Sequence, residues 1–132
     1  VDIDNFIRAK GAIYSGAATL IESLGMDFSV VDKVLIAGGI GNSLNIENSI
    51  MIGLLPDIER EKFNYIGNSS LIGAYLTLIS NDAKNKLKEI GNQLTYVELS
   101  VYPTYMDEFI SACFLPHTNI EQFPTVKKML GE

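Results

Sequence analysis

Cysteine is nearly absent from this chain: Cys113 stands alone among 132 residues. A lone thiol excludes a disulfide framework within the chain, and it excludes a cysteine ligand set for zinc or an iron–sulfur cluster. It fits a reducing, cytoplasmic setting. Histidine is as scarce, with His117 alone. No apolar run approaches the ~18 residues that would span a bilayer, and the N-terminus carries no signal-peptide pattern. Basic residues number 10 against 16 acidic ones, for a net charge of −6. That balance argues against nonspecific nucleic-acid binding and against an anionic membrane surface. Internal repeats, low-complexity stretches and clear linkers are also missing. What is present is a chain with 47 % apolar residues, enough to fold as one domain with a core. It starts without methionine and with helical periodicity almost at once, so a fragment of a longer protein is expected.

The apolar spacing predicts a first helix over Asp4 to Leu24. Its stripe is Ile3, Phe6, Ile13, Ala17, Leu20 and Leu24, with Lys10 inside it at ~100° per residue. A second face holds only small residues: Ala9, Ala12, Gly16, Thr19 and Ser23. Gly25 is placed as a C-cap. Lys33 to Ala37 reads as a buried strand, and Asn45 as the cap of a helix ending near Gly53. A second strand over Phe63 to Ile66 precedes a helix over Ser69 to Ser80. Strand, helix, strand, helix favours a parallel sheet. Beyond it come a charged helix over Asp82 to Asn92 and an alternating strand over Thr95 to Ser100. Pro103 then starts a helix whose face holds Met106, Phe109, Ile110, Cys113 and Phe114. A last short helix starts near Thr118 or Asn119.

The stretch VLIAGGIGNSLNIENSI, residues 34 to 50, offers the clearest ligand seat. A strand runs into Gly38 and Gly39, then Gly41 and Asn42, then a capped helix. Glycines without a Cβ let a flat base or a phosphate approach the backbone, and Asn42 is suited to a ribose or a base edge. The pattern is neither the dinucleotide fingerprint nor a P-loop. A tight turn with no ligand explains the same spacing. A second polar helix start, Gly67 to Ser70, follows the second strand and falls on the same sheet edge in a parallel arrangement, although plain N-capping also accounts for it. Lys10 is either a lysine that snorkels to water or a ligand or ion-pair group. Catalytic groups are sparse. His117 lies in a turn and reads as a surface or capping residue, Glu98 has no visible partner, and Cys113 reads as an inert thiol on an apolar face. Asp107 and Glu108 are adjacent and do not form a facing pair. Metal ligands of suitable spacing are missing.

Five blocks carry a resemblance: IRAKGAIYSG, VLIAGGIGNSLNIENSIMIGLLPD, IGNSSLIGAYLTL, TYVELS and MDEFISACFLPHT. In order and spacing, from about Asp2 to Pro124, they resemble the C-terminal domain of corrinoid-activating proteins. These are ATP-dependent reductive activators of corrinoid iron–sulfur proteins and corrinoid methyltransferases. The resemblance implies an α/β fold, a partial actin-like (ribonuclease-H-like) ATPase lobe. A short, mostly parallel sheet is flanked by helices, and a C-terminal strand–helix extension follows. Residues 1–80 would form the nucleotide-lobe core of this single domain and 81–132 the extension. It implies an activity of the whole protein: ATP drives electron transfer from an iron–sulfur cluster, returning Co(II) corrinoid to Co(I).

By the same resemblance, Gly38, Gly39 and Asn42 belong to the adenosine-binding turn, and Asn68 and Ser69 face the cleft. Lys10 is a looser transfer. ATP and Mg would bind the full-length protein, and the cluster only its N-terminal ferredoxin domain. The expected partner is a corrinoid protein, with no nucleic acid, no membrane and a possible homodimer. Two family features are missing here, the clustered cysteines and the Asp-Xaa-Gly phosphate turn, so the isolated chain should not hydrolyse ATP. Two other readings compete. One is a partner-binding or dimerising module with a vestigial nucleotide turn, using the small helix face and Tyr96, Tyr102, Tyr105 and Phe109. The other is a small-molecule or sugar kinase of the same superfamily.

Overall fold

The computed structural model describes residues 1–39 and 41–131; Ile40, inside the glycine turn, and Glu132 lie outside the described residues. The chain runs α1 (Asp2–Glu22), β1 (Val34–Ala37), α2 (Ile46–Met51), β2 (Phe63–Gly67), α3 (Ser69–Ile79), α4 (Asn81–Gln93), α5 (Tyr105–Ala112) and α6 (Pro124–Leu130). Strands β1 and β2 pair in parallel, Val34 opposite Phe63 and Ile36 opposite Tyr65. The parallel strand–helix–strand–helix order read from the sequence is therefore present. Among the described residues, no helix is long and apolar enough to cross a membrane.

Side-chain caps set the helix starts. Asn45 Oδ1 accepts the Asn48 N–H at 2.9 Å, Asn68 Oδ1 accepts that of Leu71 at 3.1 Å, and Ser80 Oγ accepts that of Ala83 at 3.2 Å. Each satisfies a first-turn donor that has no partner within the helix.

Among the described residues, six buried apolar ones form the core: Tyr14, Ile50, Phe63, Ala112, Phe123 and Val126. Tyr14 is its centre. Its ring lies 5.3 Å from Phe123 and 5.9 Å from Phe28, centroid to centroid, and its hydroxyl donates to Gln122 Oε1 at 2.9 Å. Burial pushes the Tyr14 hydroxyl pKa well above its ordinary value, with Glu108 and Asp57 adding to the shift.

Helix α1 turns neither of its two expected faces inward. Its buried residues are Lys10, Gly11, Tyr14, Ser15 and Thr19. The apolar stripe is outside: Ile3 is 77 % exposed and Leu24 69 %, and Phe6, Ile13 and Leu20 are exposed as well. On the small-residue face, Ala9 and Ala12 are exposed and only Thr19 is buried. The physical reason is α5. A Cβ on Gly11 would stand 3.0 Å from Cys113 Sγ and 3.5 Å from the Ala112 backbone, so the missing side chain is what admits α5 to this arc of α1. The same docking leaves Met106, Ile110 and Phe114 of the expected α5 face exposed, and Cys113 is half-buried against Gly11.

Residues 95 to 100 do not form the expected strand. The chain there is irregular and enters a 3-10 turn at Leu99–Val101. Glu98 explains this. Its carboxylate accepts the Tyr96 hydroxyl, the Ser100 hydroxyl at 2.7 Å and the Ser100 N–H at 3.3 Å, which folds the segment on itself. Those bonds hold the Glu98 pKa below its ordinary value, the Tyr96 bond most of all. The last helix also starts later than read: Asn119 caps a 3-10 turn at Ile120–Gln122, and α6 follows from Pro124.

One polar network ties α2 and the segment after it to the start of α6. Arg60 donates to both Glu47 oxygens at 3.0 Å and to Asp57 Oδ1 at 2.8 Å, while Asp57 Oδ2 accepts the Thr125 N–H at 2.6 Å. The Asp57 side chain is 1 % exposed, so it serves as a tertiary cap for the first turn of α6. Asp57→Asn keeps the shape and loses the charge facing Arg60. It should lower unfolding free energy by about 1–2 kcal/mol, as expected for a partly buried charged hydrogen bond. Urea unfolding of the variant checks this, and an unchanged midpoint would remove the network from the account.

Candidate functional site: two turns at one sheet edge

Because β1 and β2 run parallel, the chain leaves both at the same edge, one into the glycine turn and the other into α3. The register slips between Ile36 and Ala37, so that Ala37 stands opposite Gly67. The Gly38 N–H then donates to Gly67 O at 2.8 Å. The two turns are thus hydrogen-bonded to each other at their first residues.

Gly38 has φ +92°, a conformation that side chains disfavour, so its glycine is needed for the turn itself. Gly39 is different. It has no positive φ, and a Cβ built there would meet nothing within 4 Å. Neither the backbone nor the packing of this chain requires glycine at 39. Asn42 is exposed in the 3-10 turn Gly41–Ser43. Asn68 is exposed and uses its side-chain oxygen to cap α3, so capping, the simpler of the two expectations, is present; Ser69 opens α3 and is half-buried. The site therefore gathers Gly38, Gly39 and Asn42 from one turn and Asn68 and Ser69 from the next.

Lys10 sits elsewhere. It is 1 % exposed, and its ammonium donates to Ala112 O, to Phe114 O at 2.6 Å and to Pro116 O at 2.6 Å. Its three hydrogens match three carbonyls at the end of α5 and in the turn beyond it. Burial pushes its pKa down from 10.5 to about 8, with the neighbouring Cys113 sulfur pulling the other way, so the ammonium is the main form at neutral pH. Lys10 neither snorkels nor retains a free donor for a ligand.

His117 is buried at 6 % exposure, not on the surface as its turn context suggested. The expected capping role is present: Nδ1 accepts the Asn119 N–H at 3.0 Å. That bond puts the ring proton on Nε2, which faces Glu108 Oε1 at 3.3 Å. The contact is off hydrogen-bonding geometry, and both atoms are buried without a well-formed partner.

Among the described residues, one cleft lies away from the turns and a second reaches Ala37 and Leu44, at the two ends of the glycine turn. The first, of about 550 Å³, is lined by Tyr14, Glu22, Asp27, Asp57, Glu108 and Gln122. The other, an apolar groove of about 660 Å³, runs between α1 and β1 past Ile13, Leu20, Phe28 and Ile36.

The residues at the paired turns fit the nucleoside end of a nucleotide: bare backbone at Gly39, open space above it and two exposed amide side chains. They do not fit a phosphate–Mg clamp, since no carboxylate belongs to the set. A single cysteine cannot hold an iron–sulfur cluster.

Comparison with known proteins shows the family of the chain. A family model described as the C-terminal domain of RACo, the ASKHA domain, matches residues 1–127. The chain belongs to this family. The corrinoid activation enzyme RamQ of Eubacterium limosum is 35 % identical over 102 residues, which is 77 % of this chain and 17 % of RamQ. A solved structure, a reductive activator for corrinoid, iron–sulfur protein, matches with a TM-score of 0.89 at 52 % identity, covering 95 % of this chain and 20 % of that one. This chain spans a fifth or less of either relative.

Proposed function

We propose that this chain is the adenosine-side wall of the ATP cleft in a longer, ATP-dependent reductive activator that returns Co(II) corrinoid proteins to Co(I). The observation that carries the reading is Gly39, a glycine with no conformational or packing cause, beside two turns joined by the Gly38–Gly67 hydrogen bond. A close-lying base accounts for it. Gly38 and Asn42 would shape and bond the nucleoside, with Asn68 and Ser69 on the opposite side. ATP, when bound, supplies the driving force for electron transfer. The phosphates, Mg and the iron–sulfur cluster belong to other parts of the longer protein, whose partner is a corrinoid protein in the cytoplasm. Lys10 has a structural task.

A protein of the relatives' length that carries this domain should reduce a Co(II) corrinoid protein faster when ATP is added, read from the Co(I) absorbance. No response to ATP would contradict the reading. The isolated chain should not hydrolyse ATP, and equilibrium dialysis should find affinity weaker than micromolar, because the phosphate clamp is missing. Micromolar binding by the isolated chain would overturn that division of labour.

A second reading has an observation of its own. Helix α3 is apolar almost all round, yet none of its residues is buried; Leu78 is 85 % exposed. Together with the α1 stripe, this favours an interaction module, and it is compatible with the first reading if the longer protein covers these faces. Sedimentation of the isolated chain separates the cases, since a stable dimer would favour self-association through these helices.

A further inference from the structure

We infer that β2 acts as a splint for the glycine turn, with Tyr65 and Gly67 as positioning residues for the ligand; this rests on the proposed adenosine site. The turn is held at its entry and at its exit by the same strand. At the entry, Gly67 O accepts the Gly38 N–H at 2.8 Å. At the exit, the Tyr65 hydroxyl donates to Leu44 O, 21 residues away in sequence. The turn also lies on its own strand. A Cβ on Gly41 would come within 2.7 Å of Ile36 Cγ2, and Ile36 is the register partner of Tyr65. A further bond, Leu44 N–H to Gly41 O at 3.2 Å, closes the exit into a compact turn. Between these fixed points, Gly39 and Asn42 remain exposed.

The arrangement separates support from contact. Neither Tyr65 nor Gly67 needs to touch the ligand. They hold the backbone that does, so the ordering cost of binding is met before the ligand arrives. Tyr65 is 42 % exposed and lies outside the core, so losing its hydroxyl removes one loop bond and little packing. Gly67 has φ +65°, with nothing within 4 Å of a Cβ, so Gly67→Ala strains the backbone at the carbonyl that receives Gly38 without a steric clash.

The test uses the longer, nucleotide-binding protein with wild-type, Tyr65→Phe, Gly67→Ala and Gly39→Val forms. Calorimetric titration with ATP reads affinity, thermal melting reads fold, and amide hydrogen exchange without nucleotide reads the loop over residues 41–45. Tyr65→Phe should weaken ATP binding about three- to tenfold with Tm nearly unchanged, and exchange at 41–45 should accelerate. Gly67→Ala should act in the same direction. A merely structural Tyr65 would lower Tm and leave the affinity of the folded protein alone. If Gly39→Val blocks ATP and Tyr65→Phe binds like wild type, the splint is overturned and the adenosine site stands. If Gly39→Val binds ATP normally, the adenosine site fails. Hydrogen exchange then decides the splint alone: unchanged protection at 41–45 in Tyr65→Phe overturns it, and faster exchange upholds its mechanical part.

Discussion

Gly39→Val, introduced into the longer activator, should abolish ATP-stimulated corrinoid reduction and leave the fold intact. The two halves of this expectation have separate grounds. The fold should survive because a Cβ at 39 meets nothing within 4 Å and the residue is not at positive φ. On the proposed reading, function is lost because a branched side chain would occupy the space over the backbone where the base would lie. A hydrophobic site loses only about 1–3 kcal/mol for one methylene, but a group inserted between base and backbone excludes the ligand outright. The loss of activity should therefore exceed a hundredfold, with circular dichroism and Tm close to wild type. A folded variant with normal ATPase activity would remove adenosine from this turn. Gly38→Val is a poorer test, since φ +92° at 38 would strain the backbone whatever the ligand.

Lys10→Met should destabilise the chain by about 3 kcal/mol. Methionine keeps most of the buried stem and removes the ammonium. Ala112 O and Pro116 O then lie buried without their donor, and an unsatisfied buried carbonyl costs ~1–3 kcal/mol. Relief from burying a charge offsets part of this. The expected fall in Tm is roughly 10 °C for a domain of this size. The variant also separates structure from ligand binding. Below its melting temperature, Lys10→Met in the longer protein should bind ATP as wild type does. A stable variant that fails to bind nucleotide would return Lys10 to the cleft, as the family resemblance first suggested.

The legible parts of the fold were those specified locally. Short runs bounded by glycine, VLIA and FNYI, marked β1 and β2, and Asn45 and Asn68 marked the starts of α2 and α3, because a cap acts on donors three residues away. The parallel order also followed from the alternation of elements. Which way α1 faces was not legible. Periodicity identifies an apolar face and says nothing of what covers it, and Ile3, Phe6, Ile13, Leu20 and Leu24 find no cover among the described residues. The face that is buried has a lysine, a glycine, a serine and a threonine around one tyrosine, a composition that no hydrophobic pattern selects. Lys10 misled for the same reason: its partners are backbone carbonyls more than 100 residues away. At 95–100 the residues alternate, but Glu98 bonds its own neighbours, Tyr96 and Ser100, and no strand forms there.

The candidate site was legible as two turns and not as one unit. The glycines of the first and the capping asparagine of the second could be read in sequence. The bond between Gly38 and Gly67, and the hydroxyl that Tyr65 lends to Leu44, depend on the register of two strands 29 residues apart at Val34 and Phe63. The relatives identify the family of the domain, while the ligand-facing assignment rests on the open glycine at 39.

Photolabelling tests that assignment most directly. The longer protein is irradiated with an azido-adenine analogue of ATP, with and without excess ATP, and the modified peptides are mapped by mass spectrometry. Label that ATP displaces should fall within residues 38–42, with a second site at Asn68 or Ser69. Displaceable label confined to other parts of the protein, with peptides 34–50 and 63–80 recovered unmodified, would contradict the account.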